Sequence, residues 1–179
     1  MPETIENYVP QMFVKQRKAF AVLAWLTIFS VALVWIGLIL AAPLANAAGL
    51  PSFAEPIYVF FGYLCHQIPE RSLHIGAAAF AVCSRCFGFY FGFLLGLAVY
   101  PFFRPLDETE PSSRFWLFLA AIPMGVDWSL GFFEIWENTH ASRSITGAIL
   151  GLTCAFFIVP AQAEMSRFFA DRKLKRLSR

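Results

Sequence analysis

Residues 20–44 read FAVLAWLTIFSVALVWIGLILAAPL, twenty-five consecutive positions without a charge. At a rise of about 1.5 Å per residue, a helix of that length crosses a hydrocarbon layer of roughly 30 Å. Lys15, Arg17 and Lys18 stand just ahead of it. The run is therefore a first membrane span with a basic flank. The whole chain agrees: 58% hydrophobic residues, 15% charged residues and a mean hydropathy of +0.60 exclude an ordinary soluble domain. The net charge of +2 is small and not clustered as in a nucleic-acid surface, so no nucleic-acid partner is expected.

Ala45-Asn46-Ala47 has the small-residue form of a signal-peptidase site. The preceding apolar run is far longer than the roughly 7 to 15 residues of a signal core, so it reads as an uncleaved anchor. Pro43 and Gly49-Leu50-Pro51 are expected to end it. Ser52 and Glu55 form a capping-box pattern ahead of Ile57–Leu64, which is too short to cross and reads as a re-entrant or interfacial helix. Pro69 stops it. Glu70 to Ser84 reads as a turn and an approach segment.

The second span runs from Cys86 or Phe87 to Phe103, the third from Phe115 to Phe133 and the fourth from Arg143 or Ser144 to about Gln162. Gly88, Gly92 and Gly96 recur every fourth residue, baring one helix face to a second backbone. Arg143, Gly147, Gly151 and Cys154 form a matching stripe, which points Arg143 inward. Asp127, Gly131 and Glu134 are expected on one face of the third span. Trp116, Trp128 and Trp136, with Tyr58 and Tyr63, suit the membrane interfaces.

Orientation follows from the cations. With a cytoplasmic N-terminus, Lys15, Arg17, Lys18, Arg104, Arg114 and the basic tail lie inside, leaving Arg71, Arg85 and Arg143 outside. The expectation is an all-α polytopic protein of the inner (plasma) membrane. It has four transmembrane helices plus the short helix before the second span, and both termini are cytoplasmic. Residues 1–18 form an N-terminal segment, 19–166 the membrane domain and 167–179 a basic tail. Met1 to Gln11 is expected along the membrane surface or loosely ordered, and the tail against lipid headgroups.

The chemistry is concentrated outside. Cys65, His66, Cys83 and Cys86 have the ligand types of a tetrahedral zinc site, and the Cys83-Ser84-Arg85-Cys86 spacing lets two sulfurs face one centre. Adjacent side chains diverge, so Cys65 and His66 are awkward as joint ligands. The same thiols also suit redox chemistry, because a Cys-x-x-Cys at a helix N-terminus beside Arg85 has a stabilised thiolate. A structural disulfide from Cys65 to Cys83 or Cys86 is the third alternative. Arg71 and Arg85 are candidates for holding a cofactor. Asp127 and Arg143 are costly in a membrane unless paired or hydrated. They form either a catalytic pair, a base and an anion holder for a lipid or small-molecule substrate, or a mutual interhelical ion pair. His74 and His140 read as interfacial polar residues.

Two resemblances carry further implications. Four spans with a Cys-x-x-Cys at one outer end resemble the small disulfide-generating membrane oxidoreductases, which implies quinone as the alternative cofactor; after Cys86 only Cys154 follows. More specifically, Cys65-His66-Gln67-Ile68-Pro69-Glu70-Arg71-Ser72, Cys83 to Gly92 and Arg143-Ser144-Ile145-Thr146-Gly147 resemble the motifs of an uncharacterised prokaryotic membrane family, domain-of-unknown-function family twenty-eighty-five, over roughly Phe53 to Gly151. That resemblance implies the membrane class and the choice of site residues, with an asparagine expected shortly before the arginine of the last motif. Asn138 and His140 occupy that neighbourhood here.

Overall fold

The computed structural model describes residues 11–177, with side chains described for residues 14–169 and for Arg172. The segment expected along the surface before Gln11 lies outside the described residues, as do Arg179 and the side chains of Lys173, Lys175 and Arg176. The elements are α1 (Gln11–Ala47), α2 (Pro51–Gly62), a 3-10 turn (Pro69–Arg71), β1 (Ser72–Ile75), β2 (Ala78–Cys83), α3 (Ser84–Phe103), α4 (Phe115–Phe132) and α5 (His140–Leu177). Four of these helices, α1, α3, α4 and α5, are long and apolar enough to cross a membrane.

The central seam is α3 against α5. A Cβ at Gly88 or Gly92 would run into the backbone of Ser144 or Ala148, and one at Gly147 or Gly151 into the carbonyls of Arg85 or Phe89. Four glycines thus let two backbones touch. In lipid, where apolar side chains gain little by meeting each other, this close packing is what associates helices. Toward the other end of the seam, Leu97, Tyr100, Ala155 and Val159 form a buried cluster. There α1 is tied in by Trp25 Nε1, which donates to the Leu97 carbonyl at 3.1 Å.

At the end carrying the cysteines, Ile36, Ile39 and Ala42 of α1 bury against Phe61, Cys65 and Phe80–Val82. Here the stretch expected as a turn and an approach segment holds a small sheet within the otherwise helical fold. Residues 72–83 form an antiparallel hairpin, pairing Ser72 with Cys83 and Ile75 with Ala78. Gly76 turns it at φ +59° while Ala77 stays at negative φ, the glycine-first pattern of a two-residue hairpin turn. In apolar surroundings strand carbonyls need donors. Tyr58 Oη donates to the Ala79 carbonyl, and Gln67 Nε2 donates at 2.7 Å to those of Ala81 and Tyr58.

Several helix limits also differ. Pro43 lies inside α1, which continues to Ala47 before Gly49 breaks it at φ +75°. The Ser52–Glu55 capping box is not formed: α2 starts at Pro51 behind Leu50, with no side-chain cap. Pro at the first helical position costs no hydrogen bond, so this start needs none. Glu134 lies past the end of α4 at φ +55° and does not share the Asp127 face. The basic tail continues α5 as helix through Leu177. Within it, Arg167 binds the Thr109 hydroxyl at 3.1 Å and the Asp107 carbonyl.

Candidate metal centre

Three elements carry the thiols. After α2 the chain closes with Cys65 N–H on the Phe61 carbonyl at 2.9 Å, and Gln67 then turns it at φ +50°. Gln67 is not a glycine, so this left-handed turn is strained. Its side chain compensates through the two carbonyls it binds. Cys83 closes β2 and caps α3, whose first turn carries Cys86.

The sulfurs of Cys65, Cys83 and Cys86 all lie within 4.8 Å of one another. Tetrahedral ligands at about 2.3 Å from zinc sit about 3.8 Å apart, a spacing that the 4.8 Å upper limit of the cluster exceeds by only about 1 Å. Cys65 is buried and accepts a hydrogen bond from Cys83 N–H at 3.3 Å. Hydrogen bonds from the Cys83 and Cys86 thiols hold the Cys65 thiol below its ordinary pKa against the opposing effect of burial, and the backbone N–H groups of Cys83 and Gln67 assist. The positive end of α3 acts in the same direction. His66 does not join the group. It is exposed beside a cavity of about 350 Å³ that the sulfurs also line. Cys154 lies elsewhere, on an apolar groove with Trp35 and Tyr90.

The expected Asp127–Arg143 ion pair is not the one formed. Asp127, buried on α4, pairs with Arg85 and not with Arg143. Asn138 donates to the Asp127 backbone carbonyl, and its side chain lies against Gly131, where a Cβ would be 2.9 to 3.0 Å away. Arg71 and Arg143 line the same cavity as the thiols, and among the described residues neither has a carboxylate partner. Asn138 thus fixes the end of α4 beside the cavity.

Ser84 was not singled out by its sequence context, yet it locks the site together. Its buried hydroxyl donates to the Arg71 carbonyl at 3.0 Å and lies 2.8 Å from His140 Nδ1. With its one proton spent on Arg71, the hydroxyl must accept from His140, which sets the Nδ1–H form there. Ser144 donates to the Ser84 carbonyl at 3.2 Å. The start of the hairpin, α3 and α5 therefore meet at one residue. His140 is thus part of this hydrogen-bonded junction, while His74 is exposed on β1.

The stretch from Cys65 through the α5 seam is also the stretch that a known family shares. The family described as "Predicted membrane protein (DUF2085)" matches residues 65–157. The chain belongs to this family. An uncharacterized protein of Methanocaldococcus jannaschii is 40% identical over 109 residues, 61% of this chain and 70% of its own length. An uncharacterized protein of Methanothermobacter thermautotrophicus is 33% identical over 95 residues, 53% of this chain and 84% of its own. No solved structure matches. The match begins at Cys65 and spans all three clustered thiols, Asp127 and Arg143.

Proposed function

We propose that this membrane protein holds one zinc ion on Cys65, Cys83 and Cys86, with a fourth position open to the cavity, and works on a membrane-proximal substrate there. The observation that carries the reading is the convergence of three sulfurs, Cys65 and the Cys83–Cys86 pair, at a cavity wall. A disulfide would use two thiols; a third within the same 4.8 Å suits a metal better. Three protein ligands with one open position is the pattern of catalytic zinc, which, when bound, supplies a Lewis acid and acidifies its water. Asp127 was the expected base, but its ion pair with Arg85 supports a positioning role: it holds Arg85 at the cavity edge. His66, at the rim, is free to take part in proton transfer.

The site would face the extracytoplasmic side of the inner membrane, with both termini cytoplasmic. Lys15, Arg17, Lys18, Arg104 and Arg114 support that orientation. On the same reading, residues 19–166 make up the membrane domain, between the segments 1–18 and 167–179. A second reading, thiol–disulfide exchange with quinone as acceptor, is favoured by the same proximity of Cys65 to a Cys-x-x-Cys at a helix N-terminus.

Metal analysis and thiol counting separate the two on full-length protein purified without reductant or chelator. The expected result is one zinc per chain and four reduced thiols, with zinc lost in Cys65→Ser, Cys83→Ser and Cys86→Ser but kept in His66→Ala and Cys154→Ser. A metal-free protein overturns the zinc reading. If it carries a disulfide that exchanges with added quinone, the redox reading takes its place; an inert disulfide leaves only a structural role for the cysteines, as in a structural or transporter component.

A further inference from the structure

The cavity beside the thiols carries more positive charge than its surroundings account for. Arg71, Arg85 and Arg143 all line it, and the one carboxylate at hand, Asp127, is taken by Arg85. Arg71 stands at the start of the hairpin and Arg143 in the first turn of α5. Both α3 and α5 begin at this end, so two helix N-termini add their partial positive charges. Arg85 and Arg143 are partly buried and Arg71 is exposed at the rim, so gathering the three charges costs hydration at two of them and adds repulsion, which a bound anion would offset.

We propose that Arg71 and Arg143 form a clamp for a phosphate group on a ligand that sits beside the three sulfurs. Two planar guanidinium forks suit a group with several charged oxygens; a carboxylate is satisfied by one fork. Part of the lining is apolar: Trp128 stacks on Phe132 with ring centres 4.9 Å apart, and both line the cavity. A phosphate at the guanidinium side thus places whatever it carries against these rings. An alkyl chain would be held there, as in a lipid phosphate; a free phosphate would leave that lining uncovered. The clamp extends the zinc reading in one respect only, the position of the ligand beside the sulfurs. Anion binding itself requires no metal.

The test is calorimetric titration of the full-length protein in neutral detergent with inorganic phosphate and with hexyl phosphate. One saturable site is expected, weakened about ten- to hundredfold in Arg71→Gln and in Arg143→Gln, the loss of one charged hydrogen-bonding partner. Arg143→Lys should fall between, since it keeps the charge and loses the fork. Thermal unfolding and zinc content, measured on each variant, should match the parent protein and separate a lost clamp from a lost fold. If hexyl phosphate binds more tightly and Trp128→Ala removes the difference, the clamp takes a lipid-like phosphate. If both probes bind equally and Trp128→Ala changes nothing, it takes a free phosphate. No saturable binding of either probe, or unchanged binding in both arginine-to-glutamine variants, overturns the proposal. Arginine-dependent binding to a protein that contains no zinc would uphold the clamp while the metal reading fails.

Discussion

Replacing Gly92 with alanine should separate α3 from α5, and the size of the effect can be worked from the seam. The added Cβ would lie 2.6 Å from the Ala148 Cα and 2.7 Å from its carbonyl carbon, and closer still to the oxygen. Carbon atoms rest at about 3.5 to 4.0 Å, so the helix axes must part by about 1 Å. The obstacle is backbone, which cannot rotate aside as a side chain would. Overpacking of this kind costs about 1 to 3 kcal/mol. Gly37 is the control: it is also in a membrane helix, but nothing lies within 4 Å of its Cβ position. There alanine should stabilise, by up to about 1 kcal/mol from helix propensity. Reversible unfolding in mixed micelles, followed by circular dichroism, should therefore place the two variants about 1 to 4 kcal/mol apart, with Gly92→Ala the weaker. Equal midpoints for the two variants would refute the backbone seam as the source of helix association.

Two further outcomes follow from the site. Asp127→Ala leaves Arg85 without its partner in a nearly buried setting and should cost about 3 kcal/mol, whereas the joint replacement Arg85→Met with Asp127→Leu should recover most of it; strictly additive losses in the same unfolding assay would rule out the pair as a unit. Gln67→Ala strips the donor from the Tyr58 and Ala81 carbonyls and puts alanine at φ +50°, so a loss of about 2 kcal/mol and faster hydrogen exchange in β2 are expected, and unchanged exchange at Ala81 to Cys83 would contradict it.

How much of this was legible beforehand depended on the range over which each signal acts. The spans were legible because an uncharged run and its basic flanks are properties of consecutive residues, and α1, α3, α4 and α5 fall where those runs lie. The glycine seam was legible for the same reason, four-residue spacing being a local property of a helix. The hairpin was not, although Gly76-Ala77 between two short runs is a hairpin signal. Ala77-Ala78-Ala79 offers no alternation, and the surrounding apolar sequence suits a helix equally well. The partner of Asp127 could not be read either, because three arginines lie within reach of one end of the bundle and sequence spacing does not rank them.

The sequence by itself determined a four-span membrane protein, the glycine-lined faces of its second and fourth spans, and the concentration of sulfur and guanidinium groups between residues 65 and 86 and at residue 143. Only the tertiary structure decided that Cys65, and not its neighbour His66, meets Cys83 and Cys86, that Arg85 consumes Asp127, and that Arg71 and Arg143 are left facing the same cavity. The physical reason is that hydropathy and helical period act along the chain. The direction of a side chain at a turn depends instead on how distant segments close on one another: the Gln67 turn, the hairpin and the α3–α5 seam set those directions together.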